Sequence, residues 1–136
     1  MSVPFTVKDY MSHDPVTFSP DMDVLEAGRI LVERRISGAP VVDRLGNLVG
    51  VLSEKDCLAV ALSASYHEEW GGRVAEYMHA EAETVDADTS ITDVARKFLG
   101  SGYRRFPVLR DNRLVGQISR RDVLRALEAL RHPLGQ

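Results

Sequence analysis

A chain of 136 residues, 44% hydrophobic and 27% charged, has the composition of a soluble globular protein and the length of one compact domain. No apolar run approaches the roughly 20 residues that span a bilayer, and the start, Met1 to Met11, lacks the apolar stretch of a secretory signal, so a cytoplasmic protein without a membrane segment is expected. The net charge of −3 conceals an asymmetry: from Arg96 to Arg131 ten Lys or Arg stand against three acids, a local balance of +7 that suits either an anionic partner or a solvated helix face.

In chain order, the first predicted element is a short extended stretch around Val16, Thr17 and Phe18, closed by the turn and capping signal Ser19-Pro20-Asp21. Val24, Ala27, Ile30 and Leu31 then recur at helical spacing and predict an amphipathic helix. Ser37-Gly38 breaks it. Ala39 to Val42 predicts a short apolar strand, Asp43 to Asn47 a turn containing glycine, Leu48 to Leu52 the return strand of a hairpin, and Ser53 the opening of another helix. Tyr66, His67, Glu68, Glu69, Trp70, Gly71 and Gly72 lie in a connector, with Trp70 expected to fold back onto the body. Beyond it come a strand signal at Thr84-Val85, a helix from Ile91 to Leu99, a break at Gly100-Ser101-Gly102, a hairpin from Phe106 to Ile118 and a last helix after Ser119.

The second half therefore repeats the first. Tyr10-Met11 returns as Tyr77-Met78, Thr17 as Thr84, Asp21 as Asp88, Arg29 as Arg96 and Pro40-Val41 as Pro107-Val108, all at an offset of 67 residues. After a one-residue contraction in a turn, Leu48-Val49-Gly50 returns as Leu114-Val115-Gly116, and Ser53, Asp56 and Leu58 return as Ser119, Asp122 and Leu124. Repetition of so long a unit implies two copies of one β-α-β-β-α element sharing a core, an α/β (α+β) fold in which sites come in pairs. The organisation expected is a first repeat over 1–65, a connector over 66–73, a second repeat over 74–131 and a tail over 132–136.

The ordered set of Tyr-Met, Val/Thr, a Pro-Asp or Ala-Asp turn, helix, Pro-Val strand, Leu-Val-Gly and Ser-x-x-Asp resembles a cystathionine β-synthase (CBS) domain, and two in tandem resemble a Bateman module. The resemblance covers about Val7 to Leu130. It implies two units packed sheet to sheet about a pseudo-twofold axis, with two clefts that in many members bind AMP, ADP, ATP or S-adenosylmethionine, and modules that commonly dimerise into a flat disc. A homodimer is accordingly expected, with Leu58, Ala61, Leu62, Leu124 and Leu127 placed at its interface or, alternatively, covering the sheets.

Ser53-Glu54-Lys55-Asp56 and Ser119-Arg120-Arg121-Asp122 each read in two ways. A serine and an acid three residues on form a helix capping box. The same helix start favours anions, and a carboxylate can accept two ribose hydroxyls. The resemblance implies a ribose role for Asp56 and Asp122 and hydroxyl contacts for Ser53 and Ser119. Ahead of the hairpins the repeats differ: Tyr103-Arg104-Arg105 offers guanidiniums to phosphates, whereas Ser37-Gly38 offers low bulk for a base or sugar. As the resemblance has it, one cleft combines Thr84, Tyr103, Arg104 and Arg105 with Leu52, Ser53 and Asp56. The other combines Thr17, Ser37 and Gly38 with Ile118, Ser119 and Asp122, and Arg104 could serve either. Thr17 and Thr84 would meet a base edge, or serve β propensity alone.

Catalysis finds little support. His13, His67, His79 and His132 are scattered, the acids Glu68-Glu69 and Glu81, Glu83, Asp86 and Asp88 have no spacing that converges on a metal, and no nucleophile or phosphate-loop motif occurs. The single cysteine, Cys57, reads as a small, partly buried apolar residue. The expected function is a non-enzymatic regulatory module with an adenine nucleotide or S-adenosylmethionine as regulatory ligand, no required cofactor, and an unidentified regulated protein as partner. The alternatives are a ligand-free interaction protein whose basic second repeat contacts nucleic acid and, more remotely, an enzyme using Cys57.

Overall fold

Asp23 and Ser90 start the two principal repeat helices by the same chemistry, a side-chain oxygen that accepts from a free backbone N–H of the first turn: Leu25 N–H on Asp23 and Asp93 N–H on Ser90, each at 3.1 Å. In the computed structural model, which describes residues 5–67 and 71–131, the chain divides into two bodies. One is contiguous, spanning residues 16–82; the other is split, joining residues 1–15 to 83–136.

In the contiguous body the apolar face of helix α2 (Val24–Arg34) buries Val24, Ala27 and Leu31, and the helix ends at Arg35 in the left-handed region with φ 56°. Strands β1 (Gly38–Val42) and β2 (Leu48–Ser53) form an antiparallel hairpin in which Gly38 faces Ser53 and Ala39 faces Leu52. Asp43 closes its turn by accepting from the N–H groups of Leu45 and Asn47, each at 2.9 Å. These bonds, that of Asn47 foremost, hold its carboxyl below the usual range. The extended segment expected around Thr17 contracts to a single parallel bridge between Phe18 and Val41, because Phe18 bonds only the backbone of Pro40 and Val42. Helix α3 (Glu54–His67) follows β2 directly, and a four-residue helix, α4 (Val74–Tyr77), returns to bury Val74 with Phe18, Val24, Leu31, Val41 and Leu52.

The split body follows the same plan. Strand β3 (Val85–Asp86) runs parallel to β4 (Arg105–Arg110), which pairs antiparallel with β5 (Arg113–Ser119). Helices α5 (Ile91–Leu99) and α6 (Arg120–Arg131) supply Ile91, Val94, Phe98, Val123 and Ala126 to a core centred on Phe106, whose ring lies 4.5 Å from that of Phe98. The hairpin turns on Asp111 and Asn112, both at positive φ (50° and 66°), which is the two-residue turn that suits strand twist and accounts for the one-residue contraction of the repeat. The short helix α1 (Val7–Tyr10) buries Val7 in this core.

Neither α1 nor α4 is visible as a period in the sequence, yet each completes the body of the opposite repeat. His79 exchanges both backbone hydrogen bonds with Val51 at 2.9 Å, and Ser12 does the same with Gln117 at 2.8 and 3.0 Å. Val51 faces Pro40 and Gln117 faces Pro107, so the strand proline falls at a pair whose partner directs its N–H and C=O to the added segment. A Cβ on Gly50 would lie 2.7 Å from Met78 Sδ and 2.9 Å from His79 O; on Gly116 it would lie 2.6 Å from Met11 Sδ and 2.7 Å from Ser12 O. Tyr-Met and Leu-Val-Gly are thus two sides of one contact. The connector residues Glu68, Glu69 and Trp70, the side chain of His67, and His132 with the rest of the tail lie outside the described residues, and with them the expected fold-back of Trp70.

Gly50→Ala and Gly116→Ala should each destabilise the protein by about 1–3 kcal/mol through overpacking. Gly102→Ala, where an added Cβ meets nothing within 4 Å, should change stability by no more than about 0.5 kcal/mol. Urea denaturation of the three variants checks the contrast.

Candidate functional site

Each return strand runs straight into a helix, so the serine that ends the strand caps the helix that follows. Ser53 N–H and Oγ–H both donate to Asp56 Oδ2 at 2.8 Å, and Asp56 N–H donates back to Ser53 Oγ at 3.2 Å. At the second copy Ser119 N–H donates to Asp122 Oδ2 at 2.9 Å and Asp122 N–H to Ser119 Oγ at 3.1 Å. The reciprocal capping box is therefore formed at both places. It occupies one carboxylate oxygen and leaves Oδ1 on the other side of the group. The two side chains are similarly enclosed, 13% and 14% exposed.

The neighbours of Oδ1 differ. On Asp56 it meets His79 Nε2 at 2.8 Å, and on Asp122 it faces Arg125 Nη2 at 3.6 Å. Arg125 is itself held at the leader segment, where Nη2 donates to Tyr10 O at 3.1 Å and the guanidinium lies 5.6 Å from the Tyr10 ring centre. Neither contact could be read from the repeat, since His79 stands where the first repeat has Ser12.

Of the remaining sequence-derived residues, Gly38 and Arg105 face the two serines and Ser37 and Arg104 bond the helix starts. Gly38 sits opposite Ser53, where an added Cβ would lie 3.0 Å from Leu52 O. Arg105 sits opposite Ser119 at the matching position, with its Nε buried and without a hydrogen-bond partner among the described residues. The carbonyls of Ser37 and Arg104 accept from Glu54 N–H at 2.8 Å and Arg120 N–H at 3.1 Å, so both backbones fix the helix starts while their side chains are exposed. Leu52 and Ile118 are fully buried in the two cores. Tyr103 is half exposed, its ring 5.5 Å from that of Phe106. Thr84 presents its carbonyl to Lys97 Nζ at 2.6 Å, a lysine that also meets Glu83 at 3.2 Å and lies over Phe106 at 5.0 Å. Thr17 is exposed. Thr17, Ser37, Gly38, Leu52, Ser53 and Asp56 belong to the contiguous body, and the other seven to the split one.

Cys57 is buried against Gly28 and the Val24 carbonyl, and burial, assisted by the Asp56 charge, pushes its thiol up, away from the nucleophilic thiolate. Among the described residues no three His, Cys, Asp or Glu gather as metal ligands, and no helix is long and apolar enough to cross a membrane. Between α2 and α3 lies an apolar groove of about 600 Å³, lined by Leu25, Gly28, Val32, Cys57, Leu58 and Ala61. Its rim residues Val32 and Leu58 are exposed, as are their repeat counterparts Leu99 and Leu124.

A family model described as CBS domain matches residues 7–63 and again 74–129. The chloroplastic CBS domain-containing protein CBSX1 of Arabidopsis thaliana is 33% identical over 150 residues, covering 90% of this chain and 64% of the relative. The crystal structure of CBSX2 in complex with AMP superposes with a TM-score of 0.80 at 32% identity, over 94% of this chain and 99% of that one. The CBS domain pair of protein MJ0100 in complex with 5'-methylthioadenosine and S-adenosyl-L-methionine gives 0.71 at 27% identity, over 94% and 99% of the two chains. Curated relatives from Acidianus ambivalens and Methanocaldococcus jannaschii are longer, and this chain spans 64% and 42% of them.

Because the capping box is formed at both edges, Asp56→Ala and Asp122→Ala should each lower stability by about 1 kcal/mol. Urea titration followed by circular dichroism should show one shifted, still cooperative transition for either variant.

Proposed function

This chain belongs to the CBS domain family, with two copies of the domain in tandem, and on that footing we propose that it is a regulatory module without chemistry of its own, binding an adenosine-containing ligand and signalling occupancy to a partner protein. The observation that carries the reading is the recurrence, in two separate bodies, of a half-buried Ser-x-x-Asp edge whose capping contacts use one carboxylate oxygen and leave the other for a diol. AMP, 5'-methylthioadenosine and S-adenosylmethionine, held by the similar proteins, share adenosine.

In this reading Asp56 and Asp122 accept ribose hydroxyls, Ser53 and Ser119 add hydroxyl contacts, and Thr17 and Thr84 meet base edges. Leu52 and Ile118 back the two edges from the cores. Tyr103, Arg104 and Arg105 bind the charged end of the ligand, and the unpartnered Nε of Arg105 is a donor suited to a phosphate oxygen. Ser37 and Gly38 leave room where those guanidiniums would otherwise stand. Occupancy acts on the partner by favouring one conformation over another, which requires unequal binding to the two. The positive balance of the second repeat favours a nucleic-acid surface as the competing reading, and salt-sensitive nucleic-acid binding without any nucleotide response would support it.

A second copy of the chain is the proposed structural partner. Leu58, Leu62 and Leu124 are 69%, 57% and 63% exposed, too much apolar surface along α3 and α6 to leave in water without a partner. Ala61 and Leu127 extend the same two faces.

A thermal-shift screen of AMP, ADP, ATP and S-adenosylmethionine should find a ligand that stabilises the chain by about 2.7 kcal/mol at 100 times its dissociation constant. Flat melting and flat calorimetry at millimolar concentrations would remove the sensor reading. Replacing Arg104 and Arg105 by Ala should weaken ATP by about 10-fold or more relative to adenosine. Light scattering at tens of micromolar should return a dimer mass; a monomer mass with and without nucleotide overturns that part of the proposal.

A further inference from the structure

His79 holds a position that no feature of the repeat demands. Its backbone is pinned by two hydrogen bonds to Val51, and its ring, 69% exposed, reaches over the end of β2 to the nearly enclosed Asp56. Ser12 occupies the same backbone position against Gln117 in the split body, so the fold accepts serine there without change of main chain. Asp56 Oδ2 is already occupied by the N–H and hydroxyl of Ser53. Oδ1 is therefore the atom a ribose would use, and it is the atom the imidazole holds. A carboxylate only accepts, so Nε2 carries the proton in this contact.

We propose that His79 guards Asp56, competing with the ligand's hydroxyls for Oδ1 and making the first Ser-x-x-Asp edge selective and pH-dependent where the second is not. The inference rests on the ribose role given to Asp56 above. An imidazolium grips a carboxylate with opposite charges on both sides of the hydrogen bond, and a neutral imidazole more weakly, with charge on the carboxylate alone. Histidine is the side chain whose charge ordinarily changes between about pH 5 and 8, so the guard should tighten as pH falls and release as it rises. The charged groups on the elements that meet the ring are Glu54, Lys55 and Asp56 at the start of α3, and Glu76 and Glu81 on the α4 side; β2 carries none. Asp56 is the one within hydrogen-bond distance of the ring.

The test is isothermal titration of AMP into the full chain and its His79→Ser variant, both carrying Asp122→Ala so that one edge is read. The phosphate of AMP also titrates in this range, with a pKa near 6, but it does so against both proteins, and the ratio of their dissociation constants cancels it. The variant should bind about five- to tenfold more tightly at pH 5.5 and within about twofold of the parent at pH 8. His79→Gln, which keeps a donor without a titrating charge, should give an affinity between the two with the same ratio at both pH values. A parent-to-variant ratio near one throughout, or a variant that binds more weakly, overturns the guard and leaves the ribose reading standing. If neither protein binds AMP at either pH, guard and ribose reading fall together.

Discussion

The close approach of a backbone to two glycines organises everything else in this chain. At Gly50 and Gly116 the space for a side chain is taken by a methionine thioether and by the carbonyl of the residue after it. That contact lets a short segment add to the edge of each hairpin and bury one valine, Val7 or Val74, in each core. A methyl group at either glycine would require the thioether and the carbonyl beside it to shift. The proline opposite costs the hairpin no bond, because its partner residue directs both backbone groups to the added segment.

The same segments set the chemistry at the helix starts. A capping box is a local device and would form in any pair of β-strand and helix joined through Ser-x-x-Asp. What distinguishes the two edges is what the added segment carries past them. In one body it brings an imidazole to the carboxylate, and in the other it provides the carbonyl and ring of Tyr10 that position Arg125. Across from the serines the difference is larger still, a hydrogen atom at Gly38 against a guanidinium at Arg105. Two edges built on one plan thus differ in charge and bulk while each keeps its reciprocal capping box.

Much of this was legible from residues alone, and the rest has identifiable causes. Helix α5 matches its apolar spacing because an element with one buried face imprints a period on the sequence, and both hairpins fall on the short apolar runs and turns that signalled them. The four-residue helices α1 and α4 bury one residue each and show no period at all. The strand expected at Val16 to Phe18 is reduced to one bridge, since its β-prone residues find only a single pairing partner. The Ser-x-x-Asp edges were visible as motifs. The His79 contact was not, because it joins residues 23 apart through a strand addition that local spacing does not encode.

The way the bodies are assembled from the chain also orders their completion in time. Residues 16–82 are continuous, so that body contains all its parts once residue 82 has been synthesised. The split body begins with residues 1–15 and cannot close until 83–136 follow, which leaves Val7 and its neighbours exposed to solvent while an entire body is made in between. Closing so long a loop is only modestly costly in entropy, because the cost grows with the logarithm of length. The burden is kinetic: these residues are made before the contiguous body yet find their place only after it, and the apolar segment around Val7 is open to wrong partners until its strand edge exists.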